Sequence, residues 1–111
     1  MIRSIPTFNY PHNWIKARVF VLLYCFRASG VYLPLSEIVR LTPYGRYGSI
    51  ASLLTRWYGW RYILRVFDKR NGCYKYSLAV RGERYVTDKI PVRIKQRVES
   101  EIMTIFQKIY G

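Results

Sequence analysis

The segment NWIKARVFVLLYCFRAS, residues 13–29, constrains the fold of this chain more than any other stretch. At helical spacing Trp14, Ile15, Ala17, Val19, Phe20, Leu22, Leu23 and Phe26 cover most of the circumference. A helix apolar nearly all round has to be buried on several sides. Its expected stop is Gly30 at the C′ position, and Cys25 reads as a small apolar core residue within it. With 111 residues the chain amounts to one domain, large enough to bury a core without metal or disulfide staples. Half of it is hydrophobic and 17% aromatic, the composition of a folded protein and not of a basic disordered tail.

Around that helix the pattern alternates short elements. Residues 31–33 (VYL) form a strand stopped by Pro34. Ser36 is placed to N-cap a short helix, EIVRLT, whose Ile38, Val39 and Leu41 face inward. Pro43-Tyr44-Gly45 makes a turn into a helix over residues 48–58, which Gly59 breaks. Strands follow at 61–67 and 73–78. Asn71-Gly72 between them signals a type I′ hairpin turn, which sets Asp68 opposite Lys75 and Phe67 opposite Tyr76. A helical segment covers 80–86, and Pro91 suits the N1 position of a long terminal helix reaching about residue 109.

The charge is lopsided: 19 Lys+Arg against 6 Asp+Glu, a net of +13. In a domain this small such an excess points to a polyanionic partner, nucleic acid first and an acidic membrane surface second. Arginines outnumber lysines 13 to 6, and the planar guanidinium suits phosphates and guanine edges. Two cysteines without C-x-x-C spacing and the single histidine, His12, provide no metal site, and no cofactor is expected. The apolar run at 19–26 is too short to cross a bilayer. Arg27 follows it directly with no cleavage site, so neither membrane insertion nor a signal peptide is expected and a reducing cytoplasm is the default. With no glycine-rich phosphate loop and no clustered carboxylates, an enzyme is not expected.

The charge concentrates around the third helix. Residues 38–67 contain no acid, while Arg40, Arg46, Arg56, Arg61 and Arg65 all lie there. Ile50, Leu53, Leu54 and Trp57 recur at i, i+3, i+4 and i+7 and make one apolar face. Gly48, Ser52 and Thr55 lie opposite, flanked by Ser49 and Arg56, and small hydroxyl residues let a helix approach a groove closely. Tyr44, Arg46 and Tyr47 stand near its N-terminal end, where free N–H groups favour phosphate. An ordinary solvated face is the alternative, though such faces usually mix acids with bases. Lys69, Arg70, Asn71 and Lys75 on the hairpin can straddle a phosphate strand or enter the minor groove, or can simply keep a solvent-exposed edge from pairing. Base stacking on the many tyrosines and minor-groove entry by Arg3 are weaker readings of the same kind.

The terminal helix carries a stripe of Ile94, Val98, Ile102, Ile105 and Ile109, widened by Met103, Phe106 and Tyr110 to about half the circumference. One part can pack on the first helix. The remainder predicts a two-fold homodimer through Ile94, Val98, Ile102, Ile105, Phe106 and Ile109, unless the whole face is buried within one chain.

Helix, short strand, helix, turn, helix, hairpin, helix is the order of a winged helix-turn-helix, and the chain resembles winged-helix regulators of the MarR and PadR kind. Three stretches carry the resemblance: LPLSEIVRLTPYGRYGSIASLLTRWYGW, ILRVFDKRNGCYKYSL with Gly72 at the tip, and YSLAVRG, similar to a Y-x-L-T-x-x-G signature. Ala79 stands where that signature has a capping threonine. The resemblance implies an α+β, mainly α fold. An arm at 1–12 precedes a winged-helix domain at 13–90, and a dimerisation helix at 91–111 belongs to the same domain. It further implies sequence-specific binding of double-stranded DNA as a dimeric regulator. A protein–protein interaction module and non-specific chromatin-type binding are the alternatives. Few Asn and Gln beside abundant Ile, Val, Arg and Tyr suit a thermophile or one of its viruses or plasmids, and the resemblance implies an archaeal or archaeal-virus type.

Overall fold

The computed structural model describes residues 14–42 and 45–111. The elements run α1 (Trp14–Arg27), β1 (Leu33–Pro34), α2 (Leu35–Leu41), α3 (Tyr47–Gly59), β2 (Ile63–Asp68), β3 (Cys73–Leu78), α4 (Val80–Lys89) and α5 (Val92–Tyr110). The class is α+β and mainly α, with one small antiparallel sheet in the order β1-β3-β2. The N-terminal arm, Pro43 and Tyr44 lie outside the described residues.

The first helix is buried as its composition requires. Every residue of α1 from Ala17 to Leu23 is buried, and α2, α3, α4, α5 and β3 all pack on it. Arg18 lies within that run. Its guanidinium, 8% exposed, makes two hydrogen bonds to Glu101 of α5 at 2.9 and 3.2 Å, satisfying a charge the core would otherwise exclude. Enclosure ends beyond Leu23. Cys25, expected in the core, is exposed and faces a groove beside α5. Partial burial and the nearby Glu99 carboxylate push its thiol above the usual range.

The hairpin register departs from expectation by two residues: Asp68 pairs with Cys73 and Phe67 with Tyr74. A type I′ turn needs positive φ at both Asn71 and Gly72, and only Gly72 has it, at 66°. Asp68 closes a longer loop instead. Its backbone oxygen accepts the Gly72 N–H at 2.8 Å, and its carboxylate accepts the Arg70 N–H at 3.0 Å and the Asn71 side-chain amide at 2.7 Å. Hydrogen bonds from Asn71, and then from Lys75, hold the carboxyl below the usual carboxylate range. A two-residue slip keeps every side chain on its face. The Asp68–Lys75 ion pair therefore survives diagonally at 3.2 Å, and the aromatic pair becomes Phe67–Tyr74 at 5.2 Å, with Tyr76 opposite Arg65.

Helix boundaries bring three more corrections. Pro34, not Ser36, precedes α2, and Ser36 sits inside the helix. Pro91 occupies the N-cap of α5 with non-helical backbone angles (φ −56°, ψ 143°), one residue ahead of N1. Gly59 does not break α3 but is its last residue. The chain turns at Arg61, whose φ of 66° is left-handed. Arg61 N–H donates to Tyr58 O at 3.0 Å and Tyr62 N–H to Trp57 O at 2.9 Å, the two bonds of a Schellman motif. The apolar contact that completes such a motif is the Trp57–Tyr62 ring pair, 4.7 Å between centroids.

The terminal helix closes the core. Ile94, Val98 and Ile102 are buried within it, while Ile105, Phe106 and Ile109 pack at its margin. Tyr110 donates its hydroxyl to Glu37 of α2, so α5 spans from α1 to α2. Met103 and Tyr110 keep more than half of their surface exposed, 56% and 52%. The face left over for any second copy is thus narrower than the full stripe.

Candidate nucleic-acid interface

The third helix divides cleanly by exposure. Ile50 and Leu54 are fully buried, and Leu53 and Trp57 are half-buried beside them. The opposite side consists of Gly48, Ser52, Thr55 and Gly59, all exposed and, at helical spacing, within an arc of about 60°. A β-carbon at either glycine would meet nothing within 4 Å. Small residues thus leave the outer face of α3 thin.

Two flanks border this strip. On one, Tyr47 and Tyr58 lie toward the hairpin, and Arg65 of β2 stacks between Tyr58 and Tyr74 with its guanidinium 4.1 Å from each ring centroid. Arg65 also bonds the Tyr76 hydroxyl, whose titration burial pushes upward. This stack ties the hairpin to α3 and fixes their common surface. On the other flank Ser49 and Arg56 border a hollow between α3 and the start of α1.

Ion pairing separates structural cations from available ones. Arg18, Arg27, Arg40, Lys75 and Arg97 all reach carboxylates within 4 Å. Among the described residues, no carboxylate pairs with Arg46, Arg56, Arg61, Lys69 or Arg70, and all five side chains are exposed. Arg46 occupies the N-cap of α3, next to Tyr47, which is 61% exposed.

The residues singled out from sequence therefore fall into groups. Arg46, Tyr47, Ser49, Ser52, Thr55 and Arg56 line or flank the exposed side of α3. Lys69 and Arg70 project from the hairpin loop. Asn71 and Lys75 are engaged by Asp68, so their polar groups are partly committed. Tyr44 lies outside the described residues. The sequence assigned no specific site role to Arg61, Arg65, Tyr58 or Tyr74. Arg61 and Arg65 were visible in the acid-free window, but which rings would clamp Arg65 depended on strand register.

Residues and geometry together define a mainly helical α+β protein with basic side chains exposed along one helix and one hairpin, where the Asp68 carboxylate is paired with Lys75. Comparison adds no family to this class: no family model matches the chain, and no curated protein or solved structure is significantly similar to it. Among the described residues no helix is long and apolar enough to cross a membrane, and no group of three or more His, Cys, Asp or Glu could hold a metal ion.

Proposed function

We propose that this chain is a winged helix-turn-helix protein that binds double-stranded DNA, with α3 in the major groove and the β2–β3 hairpin as the wing along the flanking backbone. The element order α1-β1-α2-α3-β2-β3 and the sheet order β1-β3-β2 support the architecture. The observation that carries the function is the thin outer face of α3, with Gly48, Ser52, Thr55 and Gly59 bordered by unpaired Arg46 and Arg56. Small side chains bring the helix axis close to base edges, and the arginines supply phosphate or guanine contacts. Arg65 holds the wing at a set angle to that helix.

A two-fold dimer belongs to the same reading and would present two such helices to a pseudo-palindromic site. Its support is the mostly apolar groove of about 420 Å³ between α1 and α5, lined by Cys25, Phe26, Ile102, Met103 and Phe106 with Glu99. Sedimentation tests it, and a monomer at micromolar concentration would remove the dimer from the proposal.

The binding test is titration of duplex DNA at several salt concentrations. A site-specific regulator binds its site about 10³-fold or more above random duplex, with affinity falling linearly in log–log against salt. A steep slope without sequence preference supports chromatin-type binding instead. Absence of duplex binding even at low salt removes the DNA reading, and an interaction module with an acidic protein partner takes its place.

A further inference from the structure

The hollow beside α3 has a character the duplex reading does not use. Its walls are Ile15, Leu53, Trp57 and Trp60, and its polar groups are Lys16, Arg56 and the Ser49 hydroxyl, around a volume of about 360 Å³. That volume is within the range of small-molecule sites, about 300–1,000 Å³. Lys16 comes from α1, and its ammonium stands 4.5 Å from the Trp57 ring centroid and 4.6 Å from that of Tyr85. Burial lowers its pKa, and among the described residues no carboxylate within 4 Å compensates its charge. A half-buried cation held only by ring faces favours an incoming anion. Trp60 packs edge-on against Trp57 at 4.8 Å and keeps 53% of its surface exposed at the rim.

Flat apolar walls and two cations suit a ligand with a planar ring and a phosphate. Ser49 and Arg56 belong both to the hollow and to the exposed side of α3, so a strand lying on that side passes its mouth. We infer that the hollow seats one unpaired nucleotide of a bound nucleic acid, its base against Trp60 and Leu53 and its phosphate between Lys16 and Arg56. This rests on the nucleic-acid reading above and adds recognition of a strand end, a bulge or a locally melted step. A free phosphate would leave the apolar walls unused, and an acidic peptide would leave Trp60 without a stacking partner.

The test compares three DNA probes of one sequence: a blunt duplex, the same duplex with a one-nucleotide overhang, and the corresponding single strand. Aromatic stacking on one base predicts that the overhang duplex binds about 5- to 100-fold more tightly than the blunt one. Trp60→Ala should abolish that preference while leaving blunt-duplex affinity within about twofold, and Trp60→Phe should keep most of it. If Trp60→Ala does not fold, as judged by circular dichroism, Trp60→Phe and Lys16→Met carry the test, and Lys16→Met should lose part of the preference. Equal binding of blunt and overhang duplexes overturns the inference and leaves the duplex reading standing. Trp60-dependent binding of the single strand without duplex binding supports the inference and removes the duplex reading. No binding of any probe removes both.

Discussion

Gly82 at the first turn of α4 lies against the backbone carbonyl of Tyr62, so close that a β-carbon at Gly82 would collide with that oxygen. The same carbonyl accepts the Ala79 N–H at 3.1 Å, so the entry to β2 and the entry to α4 are fastened at one point. Ala79 itself provides no side-chain cap, and this backbone clasp stands where a capping hydroxyl is missing. Replacing Gly82 with alanine should therefore destabilise the fold by about 1–3 kcal/mol, the range for forcing atoms into packed sites. Chemical denaturation checks it, and an unchanged midpoint would show that α4 is free to shift.

Arg61 holds a left-handed conformation that glycine adopts without strain. Arg61→Gly should raise stability by about 1 kcal/mol, since the Schellman bonds stay in place and the side-chain clash with the backbone disappears. The same change removes one unpaired cation beside the proposed wing and should weaken duplex binding. A variant that is no more stable than the parent would mean the Trp57–Tyr62 contact already relieves the strain.

Tyr85 packs against Phe20 with ring centroids 5.1 Å apart, and burial, with Tyr62 adding a smaller effect, pushes its phenol up to about 12. The unfolded chain releases this proton near pH 10 while the folded chain retains it. Its contribution is therefore complete below about pH 10 and is lost as pH rises from there through about 12. Alkaline unfolding followed by circular dichroism should show a decline across that window that is shallower in Tyr85→Phe. Identical curves would place the sensitivity elsewhere.

Side chains that read bases and side chains that grip phosphates leave different signatures. Ser52→Ala with Arg56→Ala should change site preference, at about 1–3 kcal/mol for each base pair whose edge is no longer read. Lys69→Ala with Arg70→Ala should weaken all duplexes alike and reduce the log–log salt slope by about two. Equal losses from both pairs, measured on specific and random duplexes, would contradict the division of roles between α3 and the wing.

Much of this fold was legible from side-chain pattern alone. The all-round apolarity of α1, the i, i+3, i+4, i+7 face of α3 and the stripe on α5 each require burial wherever the neighbours come from, and the structure buries the centre of each: Ala17 to Leu23, Ile50 with Leu54, and Ile94, Val98 and Ile102. Composition likewise determined the acid-free, arginine-rich character of the α3 window before any geometry was known. What the pattern could not decide were properties of contacts between distant segments. The hairpin register followed the Asp68 side chain rather than the Asn71-Gly72 pair, because a carboxylate that satisfies the loop's N–H groups competes with a turn needing two left-handed residues. Helix α3 ends at Gly59, but the left-handed turn that follows it falls on Arg61 rather than on a glycine, because the Trp57–Tyr62 ring pair completes the motif around a residue that local propensity disfavours there. Cys25 fell outside the core because its side of α1 is left uncovered, while Phe26 beside it packs toward Phe106. Only the tertiary structure stacked Arg65 between Tyr58 and Tyr74 and set Lys16 among rings, since such clusters form from residues whose sequence separation hides their proximity.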